Sequence, residues 1–256
     1  MLFKLLKYDF RAMWKQFSLV WGAALVLALS NRFALFRGMG KTLITNSGLF
    51  AFAVCCVIMA MFIISISFVI DRFSKGLLGN EGYLMHTLPV RPWELVLSKL
   101  VCGTVTWIIS GLVAFGALFF MVDTDWSFFF DFELWNNIFR GLSQNPDVLL
   151  MMLELGVMLI AAIFLSIAVI YLAASIGHLC SRHHRLASVA AFIGLYIIQV
   201  NFYARFFSWG PAQSLIDWVN SNVHGAMFTV TVSMLVPAAL FLAAVCWILE
   251  HKLNLE

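Results

Sequence analysis

The sequence predicts an all-α, polytopic membrane protein: six transmembrane helices preceded by an N-terminal interfacial amphipathic helix. Three observations carry that prediction. Of 256 residues, 62% are hydrophobic and only 11% charged, against about 25% charged in soluble globular domains. Apolar runs long enough to cross about 30 Å of hydrocarbon at 1.5 Å per residue recur along the chain, and the mean hydropathy is +0.95. The basic residues are divided unevenly among the connections between those runs. A composition of 25 Phe and 9 Trp against 5 Pro excludes disordered and collagenous classes, which need polarity or periodic Gly and Pro. The length leaves room for the spans and short connections, so residues 1–256 are read as a single transmembrane domain. A net charge of +3, dispersed along the chain, does not form the concentrated basic face that nucleic acid requires. The partner implied by composition is the lipid bilayer.

Residues 1–16 are amphipathic rather than apolar. Lys4, Lys7, Arg11 and Lys15 recur at steps of three and four and line one face, while Leu2, Leu5, Leu6, Phe10, Met13 and Trp14 occupy the rest, as in a helix lying on a membrane surface. The competing reading is a signal peptide, because Ala28-Leu29-Ser30 loosely imitates a cleavage site. The length and aromatic content of the charged segment favour retention. The first span runs from Phe17 to Phe36, interrupted by Arg32. Gly48 to Ile70, Leu100 to Val122, Val148 to Gly177, Leu186 to Phe207 and Ala226 to Leu249 supply the other five.

An even number of spans puts both termini on one side, and the positive-inside rule chooses it. With the termini in the cytoplasm, Lys4, Lys7, Arg11, Lys15, Arg72, Lys75, Arg91, Lys99, Arg182, Arg185 and Lys252 are cytoplasmic, which is 11 of the 16 basic residues. The expected location is a bacterial plasma membrane. All five cysteines then fall in spans or on the inner side, where no disulfide framework is expected. Two outer segments result, 123–147 and 208–225. In the first, Trp126, Phe128, Phe129, Phe130, Phe132 and Trp135 are interleaved with Asp131 and Glu133, which reads as an amphipathic anchor in the outer interface. The second holds Trp209, Leu215, Ile216, Trp218 and Val219, too apolar for a free loop and too short to span, and is expected to dip back into the outer leaflet.

The cytoplasmic connection 71–99 is the only long one on the inner side. Pro92 suits the first position of a helix continuing into the third span, and Pro89 holds its predecessor extended. Gly79 and Gly82 bracket Asn80 and Glu81, so a short hairpin is expected to project from the membrane with Tyr83, Leu84, Met85 and Leu88 available to a partner. On physical grounds alone, packing of that hairpin on its own bundle is equally acceptable.

The strings Arg72-Phe73, Glu81-Gly82-Tyr83-Leu84, His86-Thr87-Leu88-Pro89-Val90 and Ser98-Lys99-Leu100 resemble the first cytoplasmic loop of permease subunits of bacterial type-2 ABC exporters. Leu5-Leu6-Lys7-Tyr8-Asp9-Phe10 and Lys252-Leu253-Asn254-Leu255-Glu256 resemble the same group. The resemblance implies two facing six-span bundles, the second identical or homologous, with two ABC ATPase subunits docked beneath. It makes Glu81, Gly82, Tyr83, Leu84, His86 and Pro89 the ATPase-coupling element. It also implies ATP and Mg in the partner ATPase, no cofactor in this chain, and export of an amphipathic peptide, drug or lipid-like substrate. Arg91, Pro92 and Trp93 depart from the more polar stretch expected there.

The remaining polar positions point less sharply. Gly38-Met39-Gly40-Lys41-Thr42 imitates the end of a phosphate loop, but Leu35 stands where its first glycine belongs. Glu154 and Arg205 fall in the outer parts of spans, where ionisable groups face a bundle interior or a wet cavity. They are read either as pathway or outer-gate residues together with Trp209 and Trp218, or as a structural pair. Ala187, Ala190, Gly194 and Asn201 share one face of the fifth span, and small residues permit close helix approach, either at a dimer seam or within one bundle. His178, Cys180, His183 and His184 follow no zinc-ligand spacing, so no metal is expected, and a basic loop at anionic headgroups accounts for them better. Two other classes compete: an ion-coupled carrier or channel, and an intramembrane enzyme. The first should show paired discontinuous helices, whereas only Pro237 interrupts a span. The second lacks any catalytic constellation.

Overall fold

The computed structural model describes residues 2–36, 44–74, 76, 92–121, 131–180, 183–208 and 222–251. The regular elements among them are α1 (Leu2–Phe36), α2 (Ile44–Phe73), α3 (Pro92–Met121), α4 (Phe132–Gln144), α5 (Pro146–His178), α6 (His184–Ser208) and α7 (Val223–His251), with no strand among the described residues. Five helices are long and apolar enough to cross a membrane, and α1 makes a sixth if its two bent halves are one span. Four of the last five expected spans lie inside one of these helices, and the other, Leu100 to Val122, lies in α3 as far as Met121, Val122 being outside the described residues. Pro92 opens α3, where its missing N–H would have had no intrahelical partner in any case.

The halves of α1, Leu6–Lys15 and Phe17–Ser30, meet at 42°. The bend falls at the expected boundary between interfacial segment and span. The basic side chains of Lys7, Arg11 and Lys15 are exposed, as an interfacial face requires. On the other side a single stripe, Asp9, Met13, Phe17, Trp21, Ala24 and Ala28, is buried through the bend. Its steps of three and four keep one face of both halves on the protein, so the amphipathic segment packs on its own bundle as well as presenting its basic face.

The described residues fall into two compact units: residues 1–69 with 101–134, and residues 70–100 with 135–256. The core of the first is built from Met13, Phe17, Trp21, Met61, Phe68, Cys102 and Ala114. Phe17 meets Phe68 edge to face at 5.2 Å. A short polar chain is threaded through this core: the Trp21 indole N–H donates to Ser110 Oγ at 3.1 Å, Ser110 and Ser65 share a hydrogen bond of 3.2 Å, and Ser65 also donates to the Met61 carbonyl. Buried hydroxyls are thereby satisfied in surroundings where an unmet one would cost about 1–3 kcal/mol. The indole N–H of Trp107 is buried without a partner among the described residues.

In the second unit α5 packs against both α6 and α7. Its buried residues all lie between Ala161 and Gly177, and most are small, which lets the neighbouring backbones come close. Leu165, Ala168, Val169 and Ala238 form the centre, flanked by Leu195, Met234, Phe241 and Leu242. Pro237 interrupts α7. Having no N–H, it leaves the carbonyl four residues earlier, that of Ser233, without its helical donor. Tyr203 of α6 supplies the replacement, donating its hydroxyl to Ser233 O at 2.6 Å.

Candidate functional site: the feet of the 71–99 connection

Glu81, Gly82, Tyr83, Leu84, His86 and Pro89 lie outside the described residues, as do Trp209 and Trp218. The two ends from which the 71–99 connection springs are described, and both belong to the second unit. On the α2 side, Phe73 is fully buried and stacks on Tyr171 of α5, rings 4.2 Å apart and 12° from parallel. Ser74 Oγ and His178 Nε2 are hydrogen-bonded at 2.9 Å. The His178 ring is stacked in turn on that of His184, the first residue of α6, at 5.5 Å. On the α3 side, Leu95, Val96, Ser98, Lys99 and Leu100 are all buried, and the Ser98 hydroxyl turns back onto the Leu95 carbonyl. A methyl group placed on Gly76 would stand 3.7 Å from Lys99 Cε, so the two feet come together at Gly76 and Lys99.

Close packing continues at the junction of α5 and α6. Leu179 and Cys180 close the end of α5 by donating to the carbonyls of Ile176 and Gly177. There Gly177 faces Ser188, and a Cβ on Gly177 would lie 2.6 Å from the Ser188 nitrogen and 2.7 Å from its Cα. Only glycine fits this approach. The α2 foot therefore bears on the closely packed corner made by α5 and α6.

The intramembrane charges are arranged differently from the expected pairing. Glu154 Oε2 of α5 contacts His224 Nδ1 of α7 at 2.8 Å, and no Glu154–Arg205 pair forms among the described residues. Arg205 is exposed on the last turn of α6. His224 was not singled out by its sequence, because a lone histidine at a span boundary carries no spacing signal, and only the packing of α7 on α5 reveals its partner.

Of the small-residue face on α6, Ala187 and Gly194 are half-buried and Ala190 and Asn201 exposed. Among the described residues nothing lies within 4 Å of the position a Cβ on Gly194 would take, and the Asn201 side chain donates to its own helix at Ile197 O. No residue in the membrane-crossing part of α6 is buried. All five cysteines are free. Among the described residues no three His, Cys, Asp or Glu side chains converge as metal ligands.

Composition and fold together define a multi-pass membrane protein. Compared with protein families, curated proteins and solved structures, the chain matches none.

Proposed function

We propose that this chain is the permease subunit of an ATP-driven ABC exporter, coupled to separate ATPase subunits and moving an amphipathic peptide, drug or lipid-like substrate outward. The observation that carries the reading is the 71–99 connection: a sequence resembling an ATPase-docking loop, with buried residues at both ends and its α2 end held to α5 by the Phe73–Tyr171 stack and the Ser74–His178 hydrogen bond. Force applied to such a loop enters the helices through stacked rings and a buried lysine rather than dissipating in a solvated linker. In this reading ATP and Mg reside in two partner ATPases, and the chain is a transport subunit rather than an enzyme. A second permease chain, identical or homologous, faces it. The exposed surface of α6 suits that neighbour, because none of the described residues comes within 4 Å of the position a Cβ on Gly194 would take. The membrane is a bacterial plasma membrane with both termini cytoplasmic, in keeping with the distribution of basic residues.

An ion-coupled carrier has one observation in its favour, the contact between Glu154 of α5 and His224 at the start of α7. The two readings separate on purification of the tagged full-length chain from its native membrane. A permease brings with it a soluble ATP-hydrolysing subunit, and Tyr83→Ala lowers recovery of that subunit at matched membrane levels and unchanged thermal stability. Recovery of no ATPase, with transport in proteoliposomes driven by a proton gradient and abolished by Glu154→Gln, would replace the exporter by the carrier.

A further inference from the structure

Helix α4 has no buried residue. Its sequence nevertheless divides cleanly at 100° per residue. Phe132, Trp135, Ile138, Phe139 and Leu142 fall on one side, and Glu133, Asn136, Asn137, Arg140 and Gln144 on the other. Phe132, Ile138 and Phe139 of this apolar face are exposed, Phe132 and Phe139 by 82% and 65%. Trp135 and Phe139, one turn apart, lie with ring centroids 6.4 Å apart.

What covers the face follows from its continuity with α5. The two helices are separated by Asn145 alone, and that corner is tied: the backbone and side-chain nitrogens of Asn145 both donate to Gly141 O at 3.1 Å, while Asn145 O accepts from Val148 N. From Val148 to Leu153, six consecutive apolar residues of α5 are exposed. Consecutive residues point in every direction around a helix, so this end of a membrane-crossing helix leaves apolar surface uncovered by the described residues on several sides. The apolar face of α4 follows directly on that uncovered apolar end.

We propose that α4 is an interfacial helix that seats its apolar face at the acyl boundary of the bilayer surrounding α5, held by apolar burial and not by headgroup charge. The charge balance selects between those two forces. Asp131, Glu133 and Asp147 set three carboxylates against the single guanidinium of Arg140, which gives anionic lipid no net attraction. Asp131 also caps α4, its Oδ1 accepting the Glu133 and Leu134 N–H groups, so the helix is formed before lipid is considered. Helices of this kind lie about 5–10 Å into the headgroup region. The inference is independent of any ATPase partner and stands or falls separately from the exporter reading.

The test is spin-label accessibility of the full-length chain reconstituted in phosphatidylcholine bilayers, with and without phosphatidylglycerol. Single cysteines replace Ile138, Phe139, Asn137 and Arg140 in a background lacking the native cysteines. Labels introduced by Ile138→Cys and Phe139→Cys are expected to be relaxed by oxygen, which partitions into lipid. Those introduced by Asn137→Cys and Arg140→Cys are expected to be relaxed by a water-soluble nickel chelate. The pattern should be unchanged by phosphatidylglycerol. Nickel access on both faces would overturn the proposal in favour of a solvated helix. Shielding of the apolar face from both reagents would overturn it in favour of a protein partner, and dependence on phosphatidylglycerol would refute the apolar-burial mechanism. Should the cysteine-free background not fold, a benzophenone photocrosslinker in place of Phe139 in the otherwise unaltered chain answers the same question: adducts to phospholipid support the assignment and adducts to protein refute it.

Discussion

Replacing Tyr203 by phenylalanine removes one hydroxyl from the contact between α6 and α7, and the arrangement around Pro237 sets the size of the effect. In a regular helix the Ser233 carbonyl would accept from the amide of residue 237, and Pro237 has none. The Tyr203 hydroxyl stands in for it at 2.6 Å. Interhelical hydrogen bonds in membranes average about 0.6 kcal/mol and reach about 1.7. This one belongs near the upper end, because its loss strands an acceptor where water is scarce and an unmet group costs about 1–3 kcal/mol. Tyr203→Phe should therefore lower stability by about 1–2 kcal/mol. The distinguishing measurement is the double-mutant cycle with Pro237→Ala, which restores an N–H to the Ser233 carbonyl. In that background the Tyr203→Phe cost should shrink to below about 0.5 kcal/mol, a coupling of about 1 kcal/mol. Equilibrium unfolding in mixed detergent micelles, followed by far-ultraviolet circular dichroism, supplies all four corners. Equal costs of Tyr203→Phe with and without the proline would show that the hydroxyl is not replacing the missing amide, and the argument would fail.

Two further outcomes follow from the packing. Gly177→Ala should lower stability by about 1–3 kcal/mol through overpacking against the Ser188 backbone, whereas Gly156→Ala on the same helix, with nothing within 4 Å of its Cβ position, should be neutral or stabilising; thermal unfolding in detergent of the two variants side by side checks the difference, and a Gly177→Ala protein as stable as the parent would refute the close approach. Trp21→Phe should cost about 1–3 kcal/mol more than Trp107→Phe, since the first breaks the hydrogen bond to Ser110 and the second removes an N–H with no partner among the described residues. The same unfolding assay reads both, and equal losses would show that only ring volume matters.

The class of protein, and the position of each long helix, could be read from the amino-acid order because the bilayer acts on the chain one segment at a time. A run such as Val148 to Gly177 must satisfy its own backbone in hydrocarbon, and a helix is the structure that does so without a neighbour. Local chemistry likewise placed Pro92 at a helix start and divided the N-terminal basic segment from the span after Gln16. What one segment does to another was not legible, since spans are apolar all round and their hydropathy carries no mark of which face meets protein and which meets lipid. Tertiary packing alone decided that Asp9 and Met13 are buried, that Tyr203 reaches the carbonyl freed by Pro237, and that Glu154 meets His224 and not Arg205. Phe132 and Trp135 share a face of α4 through local helical geometry, while the docking role proposed for Glu81 to Pro89 rests on the sequence alone. The physical reason is the same throughout: burial in lipid is a property of a segment, whereas a hydrogen bond or a close backbone approach between helices is a property of a pair, and only the folded chain brings the pair together.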